Sequence, residues 1–194
     1  MLKDHAVNIK VRPYHHGDLR AALVTAGLGM LAIRNADELS LREVARSVGV
    51  SANAVYRHFP DKAALLRELA TEGLQALAIV QRAAAEAAGG GTEGFEATGR
   101  AYVSFALANP ALFRLIFSNP AHRNLLSEPS DDIPDAMAFL RANAAAVAGP
   151  SGDATVIALR AWSQAHGLAM LMLDHQVARD DDIIDAVFTQ ETGV

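Results

Sequence analysis

The stretch that decides the fold is Val48–Phe59, VGVSANAVYRHF. Gly49 stands where one helix should stop, because glycine takes a positive φ without a Cβ penalty. Ser51 stands where the next should start, with a hydroxyl that can accept from an orphan first-turn amide. The preceding Leu41–Val48 makes about two turns, with Val44, Ala45 and Val48 on one side. Val50 plugs the angle, Val55 returns to the core, and Ala45 is small where the second helix crosses. These offsets predict a helix-turn-helix. The remaining face, Ser51, Ala52, Asn53, Tyr56 and Arg57, is short and polar with little bulk at its start, a shape suited to a DNA major groove.

Outward from this unit the pattern is helical nearly throughout. Ser40-Leu-Arg-Glu43 reads as a capping box in which each side chain satisfies the other residue's amide. Upstream, Leu19, Ala22, Leu23, Ala26, Met30 and Ile33 repeat at helical spacing, with Asp18 as N-cap and Asn35 expected to stop the helix in a left-handed conformation. Downstream, Pro60-Asp61 opens a long helix carrying Ala64, Leu65, Leu69, Leu74 and Leu77. Gly89–Thr92 (GGGT) breaks it, and a domain boundary is expected there. Asn109-Pro110 and Asn119-Pro120 are further breaks, and Ser127–Pro134 is a polar loop. Asp153 caps a helix expected through Asp174. Asp180–Asp182 opens a last one to about Glu191, its acids favourable against the helix dipole. There is no useful strand pattern and no fixed-period repeat.

The 194 residues are 51% hydrophobic, enough for a sizeable core. The absence of cysteine excludes disulfides and thiolate metal sites. No apolar run has the length of a membrane span, and the first residues lack a signal-peptide core, so a soluble cytoplasmic protein with no membrane partner is expected. The net charge of −5 argues weakly against nucleic acid, but it is unevenly distributed. Residues 1–82 hold eleven Lys and Arg against eight Asp and Glu, a net +3, whereas residues 83–194 hold six against fourteen, a net −8. A basic front that meets phosphates and an acidic back that does not would give this asymmetry.

The run SLREVARSVGVSANAVYRHFPDKAALLRELA closely resembles the DNA-binding domain of the tetracycline-repressor (TetR) family, with the pattern GVSxxxxYxHFxxKxxL present from Gly49 to Leu65. The likeness extends from Asp18 to about Leu77. It implies an all-α fold: a three-helix helix-turn-helix head joined by a fourth helix to a ligand-binding and dimerising body. On this basis residues 1–14 are a flexible arm, 15–62 the DNA-binding domain, 63–88 the linking helix and 89–194 the C-terminal domain. AYVSFALANPALFRLIF, followed later by AWSQAHGLAML, resembles the subgroup whose body carries a Trp…His-Gly signature, here Trp162, His166 and Gly167.

The candidate DNA contacts are Ser40, Arg42, Ser51, Ala52, Asn53, Tyr56, Arg57, His58 and Lys62. Tyr56 resembles the family's phosphate donor, with packing against the head as the other reading. Asn53 suits adenine and Arg57 guanine, or both are solvated. His58 precedes the core aromatic Phe59 and reaches phosphate or caps a helix end. Lys62 resembles a phosphate-binding lysine, and a phosphate would explain a cation in the unfavourable first turn of a helix. Ser40 and Arg42 could touch the DNA backbone, and Tyr14, His15 and His16 could form an arm on it.

In the body, Tyr102, Phe105, Phe113, Phe117, Trp162, His166 and Met170 are the candidate ligand contacts, from an aromatic and Met inventory that also holds Phe95 and Met172. His166 and Trp162 share a helix face, and Gln164 lies on the same helix. His166 is either a ligand contact or a packed histidine. His122, His166 and His175 lack metal-ligand spacing, and no cofactor is implied. Ala158, Ala161, Ala165, Ala169 and Leu173 offer a small-residue stripe for a helix of a second copy, because the resemblance implies a homodimer joined by the last two long helices. The expected function is therefore a transcriptional regulator of a double-stranded DNA operator, a repressor released by a small-molecule effector. An enzyme is the main alternative, but no Gly-rich phosphate loop, G-x-S-x-G or His-Glu-x-x-His is present. A plain α-helical interaction module leaves the helix-turn-helix face and the charge asymmetry unexplained.

Overall fold

Gly49 takes φ 79° and ψ 27°, and its turn separates α2 (Leu41–Val48) from α3 (Ala52–Tyr56). The Val50 amide returns to the Ala45 carbonyl at 3.0 Å, closing the end of α2. Ser51 caps α3 by accepting from the Ala54 amide at 3.3 Å. These features belong to a computed structural model that describes residues 19–118, 135–148 and 152–189. The arm at 1–14, Tyr14, His15 and His16, the Asp18 cap, Asn119-Pro120, His122, the Ser127–Pro134 loop and Glu191 lie outside the described residues.

The described residues are helical, with no strand among them. Around α2 and α3 stand α1 (Leu19–Leu31), a single 3-10 turn (Ala36–Glu38), α4 (Lys62–Ala87), α5 (Gly91–Ala108), α6 (Pro110–Ser118), α7 (Asp135–Ala148), α8 (Ala154–Leu173) and α9 (Asp181–Phe188). Contacts divide them into two compact units. One holds residues 19–73 with 109–118, the other 74–108 with 135–189. The division therefore falls inside α4 rather than at the glycines after it, and α6 belongs with the head.

In the first unit, α2 packs on α1 and α3, while α6 packs on α1 and the 3-10 turn. Leu23, Val44, Val55, Leu65, Leu69 and Phe113 fill the core at no measurable exposure, and Phe59 joins them at 2%. Arg20 ties α1 to α4 by an ion pair with Glu68, and its guanidinium lies 5.3 Å from the Phe59 ring centroid. Asp61 caps α4 by accepting from the Ala64 amide at 2.7 Å. Two local expectations need correction. Asn35 is extended (φ −77°, ψ 158°) and begins the 3-10 turn; α1 ends earlier, in a frayed turn where the Ile33 and Arg34 amides share the Met30 carbonyl. The capping box is half of the expected pair. The Glu43 amide donates to Ser40 Oγ at 3.3 Å, but the Glu43 carboxylate accepts from the Ser40 hydroxyl at 3.0 Å. That hydroxyl, against slight desolvation and with help from Arg34, holds the Glu43 carboxyl below its ordinary range.

In the second unit, α5 packs against α7, α8 and α9, and α7 against α8. Asp153 caps α8 through the Thr155 and Val156 amides, and Asp180 caps α9 through the Asp182 amide. Gly99 on α5 is dictated by α9. A Cβ there would stand 2.4 Å from Cε1 of Phe188, closer than any side chain permits. The alanine stripe of α8 is also internal. Ala158, Ala165, Ala169 and Leu173 are 5% exposed or less, so they cannot meet a second copy. The outer side of α8 instead carries Val156, Leu159 and Leu171 at 40%, 50% and 46% exposure, with Ser163 and Gly167 between them.

Candidate nucleic-acid interface and body cavity

The helix-turn-helix sorts its side chains by depth. Ala54 and Val55 of α3 are buried, while Asn53, Tyr56, Arg57 and His58 are exposed, Tyr56 at 46%. Ser51 is exposed and Ala52 half-buried at the start of the same helix. On α2, Arg42 and Arg46 are exposed. Ser40 is half-buried, with its hydroxyl committed to Glu43. α3 thus presents small residues first and long polar ones last, in the order that entry into a groove demands. Lys62 has a partner the sequence did not suggest: its ammonium donates to the Asp37 carbonyl at 2.6 Å. One of three ammonium donors is so used, and the carbonyl offsets the cation's poor placement at a helix N-terminus.

The body unit holds a cavity of about 140 Å³. Among its walls are Gln81 from α4, Phe95 and Tyr102 from α5, Met137 from α7, Trp162 from α8 and Phe188 from α9. Behind Tyr102 runs a chain of hydrogen bonds. Trp162 Nε1–H donates to the Tyr102 hydroxyl at 3.2 Å, and that hydroxyl lies 2.8 Å from His166 Nδ1. Burial pushes the Tyr102 phenol far up, opposed weakly by the Trp162 N–H, so its proton stays in place. Burial pushes His166 down, towards the neutral ring. A protonated phenol that already accepts from Trp162 donates onward, which assigns His166 the tautomer with its proton on Nε2.

Of the seven candidate ligand contacts, only Tyr102 and Trp162 line this cavity. His166 stands one hydrogen bond behind them. Phe105 is buried, 4% exposed, without lining the cavity, and Met170 is half-buried elsewhere on α8. Phe113 and Phe117 belong to the head unit, their rings tilted by 59° and 4.9 Å apart between centroids. Phe113 is core there, at no measurable exposure, and Phe117 is half-buried. Gln81 was legible and missed. It occupies the core position of the series Leu74, Leu77, Ala78, Gln81, Ala85, a polar residue at an apolar register. Phe188 and Glu96 carry no comparable local signal. Among the described residues no group of acids and histidines could hold a metal ion.

A capped helix pair with a polar outer face, set in an all-α chain with a larger helical body, is the architecture of a helix-turn-helix DNA-binding regulator class. Residues 23–69 match the family described as bacterial regulatory proteins, tetR family, and residues 95–193 match the tetracyclin repressor-like C-terminal domain. The chain belongs to the TetR family, which is one of DNA-binding regulators rather than enzymes. A protein of unknown function from Rhodococcus sp. RHA1 is 34% identical, with a TM-score of 0.72 over 91% of this chain and 95% of that one. A structure described as that of a regulatory protein, SCO4313, is 26% identical with a TM-score of 0.64, over 88% and 93%. A tetR family transcription regulator from Shewanella sp. PV-4, 20% identical with a TM-score of 0.55 over 87% and 94%, shares the fold.

Proposed function

We propose that this regulator is a dimeric repressor that leaves its operator when a small molecule enters the body cavity. The observation that carries the reading is the separation of tasks. The head exposes Asn53, Tyr56 and Arg57 on a capped recognition helix, and the body holds a cavity walled by Tyr102, Trp162 and Phe188. Asn53 and Arg57 read base edges; Arg42, Tyr56 and the remaining donors of Lys62 meet phosphates, with Ser40, Ser51, Ala52 and His58 lining the approach. The Asp37 carbonyl then acts as a guide that holds the Lys62 ammonium in place.

A dimer supplies two recognition helices and doubles the contacts available to one short helix. The outer strip of α8 is the contact between copies, since Val156, Leu159 and Leu171 expose apolar surface that nothing among the described residues covers. α8 is long and apolar enough by length and composition to cross a membrane, with 33% of that window buried inside the chain. A partner helix accounts for the excess, and the cytoplasm is the proposed compartment. The Tyr102–His166–Trp162 chain is the physical content of the Trp…His-Gly signature, with Gly167 on the outer strip where a partner helix can come close. Effector and operator favour different arrangements of the dimer and are thereby linked. Footprinting of the purified chain on the DNA upstream of its own gene tests the first half; loss of the footprint on adding cell extract fractions tests the second. A chain that protects no sequence over random duplex removes the reading.

A further inference from the structure

Two residues of the cavity wall, Gly99 on α5 and Phe188 on α9, lie against each other. The Phe188 ring stands where a Gly99 side chain would begin, closer than any Cβ permits. Because both residues line the cavity, the ring fills space that would otherwise be continuous with it. Phe188 is 8% exposed, and with Ile184 it is one of the two buried residues of α9. The helix that carries it is tied to both neighbours. Gln164 Nε2 on α8 donates to the Val187 carbonyl at 2.8 Å, and the Arg100 guanidinium on α5 lies 3.8 Å from the Asp185 carboxylate. The ring is thus a held piece of wall.

The rest of the wall indicates what the ring confines. Phe95, Met137, Leu140 and Trp162 contribute aromatic and aliphatic side chains. The wall's hydroxyls and indole N–H, among the described residues, spend their protons inside the fold. Thr98 Oγ1 donates to the Phe95 carbonyl at 2.6 Å, Thr189 Oγ1 to the Asp185 carbonyl at 2.8 Å, and Trp162 Nε1 to the Tyr102 hydroxyl at 3.2 Å. The Tyr102 hydroxyl spends its own proton on His166. A ligand acceptor would reach these donors only by breaking a bond already made. Apolar area removed from water is therefore the source of affinity, and each CH2 that finds room strengthens binding about fourfold. The volume of about 140 Å³ is of the order of an apolar cavity that accepts a benzene-sized ring.

We infer that Phe188 sets the size of the effector: an apolar molecule of about one ring fits, and a chain growing from that ring stops gaining affinity once the space up to Phe188 is full. This rests on the reading of the body cavity as the effector site and goes beyond it in naming the ligand's apolar class and the residue that selects by length. Trp162 is the only tryptophan in the chain and stands in the same wall, so its emission reports occupancy with or without DNA.

The test is a titration of the intact protein with benzene, toluene, ethylbenzene, propylbenzene and butylbenzene, with the melting temperature as a second readout. In the wild type, affinity should rise about fourfold per carbon over the first members and then level or fall. In Phe188→Leu the break should come at least one carbon later. Phe188→Met, whose flexible side chain can fold aside, should move the break the same way, and it decides the matter if the leucine variant has no cooperative melting transition. The same break in wild type and variants, an unbroken rise through the series in the wild type, or no response of emission and melting temperature to any member overturns the inference. Operator release is scored separately. A break that moves with Phe188 but no release by any bound member would leave Phe188 as the selecting residue and count against the repressor reading. Release with an unmoved break would do the reverse.

Discussion

The hydroxyl of Tyr102 on α5 lies 2.8 Å from Nδ1 of His166 on α8, and the sharing of one proton between them holds the two helices in register at the cavity wall. The bond requires a neutral ring. Burial lowers the folded pKa of His166 below its ordinary 6.5, so below that pH the unfolded chain takes up a proton that the folded chain refuses. Stability at this site is therefore present above pH 6.5 and falls as the pH drops from there towards the folded pKa. Urea midpoints at pH 7.5 and 5.5 should fall further apart for the wild type than for His166→Gln, which does not titrate. Parallel shifts in the two proteins would remove His166 from the pH dependence.

Gly99 and Phe188 make a prediction about packing. Gly99→Ala places a methyl 2.4 Å from the Phe188 ring and forces α9 away from α5. The expected loss is about 1–3 kcal/mol, the usual cost of overpacking, seen as a lower melting temperature. Phe188→Leu in the same chain should recover part of it, because the smaller side chain vacates the site. A double variant no more stable than Gly99→Ala alone would show that the ring is not the obstacle.

The head was legible because its rules are local. Gly49, Ser51, Ser40 and Asp61 each act within four residues of their own position, and the structure places all four as turn or cap. Asn35 failed for a related reason: a left-handed stop is only one way to end a helix, and the chain instead turns into the 3-10 turn that packs on α6. The body was less legible because its neighbours are distant in sequence. The pairing of Gly99 with Phe188, and of Tyr102 with His166 and Trp162, depends on how α5, α8 and α9 meet, which periodicity does not encode. The alanines of α8 were read correctly as a close-contact stripe and wrongly as an outer one, since small residues suit a near helix whether it belongs to the same chain or another.

At the DNA face, Lys62 separates orientation from charge. Its ammonium is held by the Asp37 carbonyl and keeps two donors for a phosphate. Lys62→Ala should weaken binding to every duplex alike and reduce the slope of log affinity against log salt by about one. Arg57→Ala should instead lose discrimination at one base pair, by about 1–3 kcal/mol, if Arg57 reads a base edge. An unchanged salt slope for Lys62→Ala would leave the lysine as a tie within the head alone.

The two sides of α8 give opposite expectations for one helix. Leu159 is 50% exposed, so Leu159→Glu should fold as well as the wild type but place a charge in the proposed contact between copies. Sedimentation at micromolar concentration should show a monomer with an unaltered melting profile in the monomeric range. Ala165 is 4% exposed and faces the protomer's own interior, lining the cavity. Ala165→Arg should therefore lower the melting temperature and abolish ligand-induced change in Trp162 emission, because the side chain has no room except the cavity itself. Operator affinity should fall for both, by loss of the second recognition helix in one case and of the folded body in the other. A stable dimeric Leu159→Glu would place the contact between copies away from the outer strip. A stable monomeric Ala165→Arg would return it to the alanine side, against the burial seen in the fold.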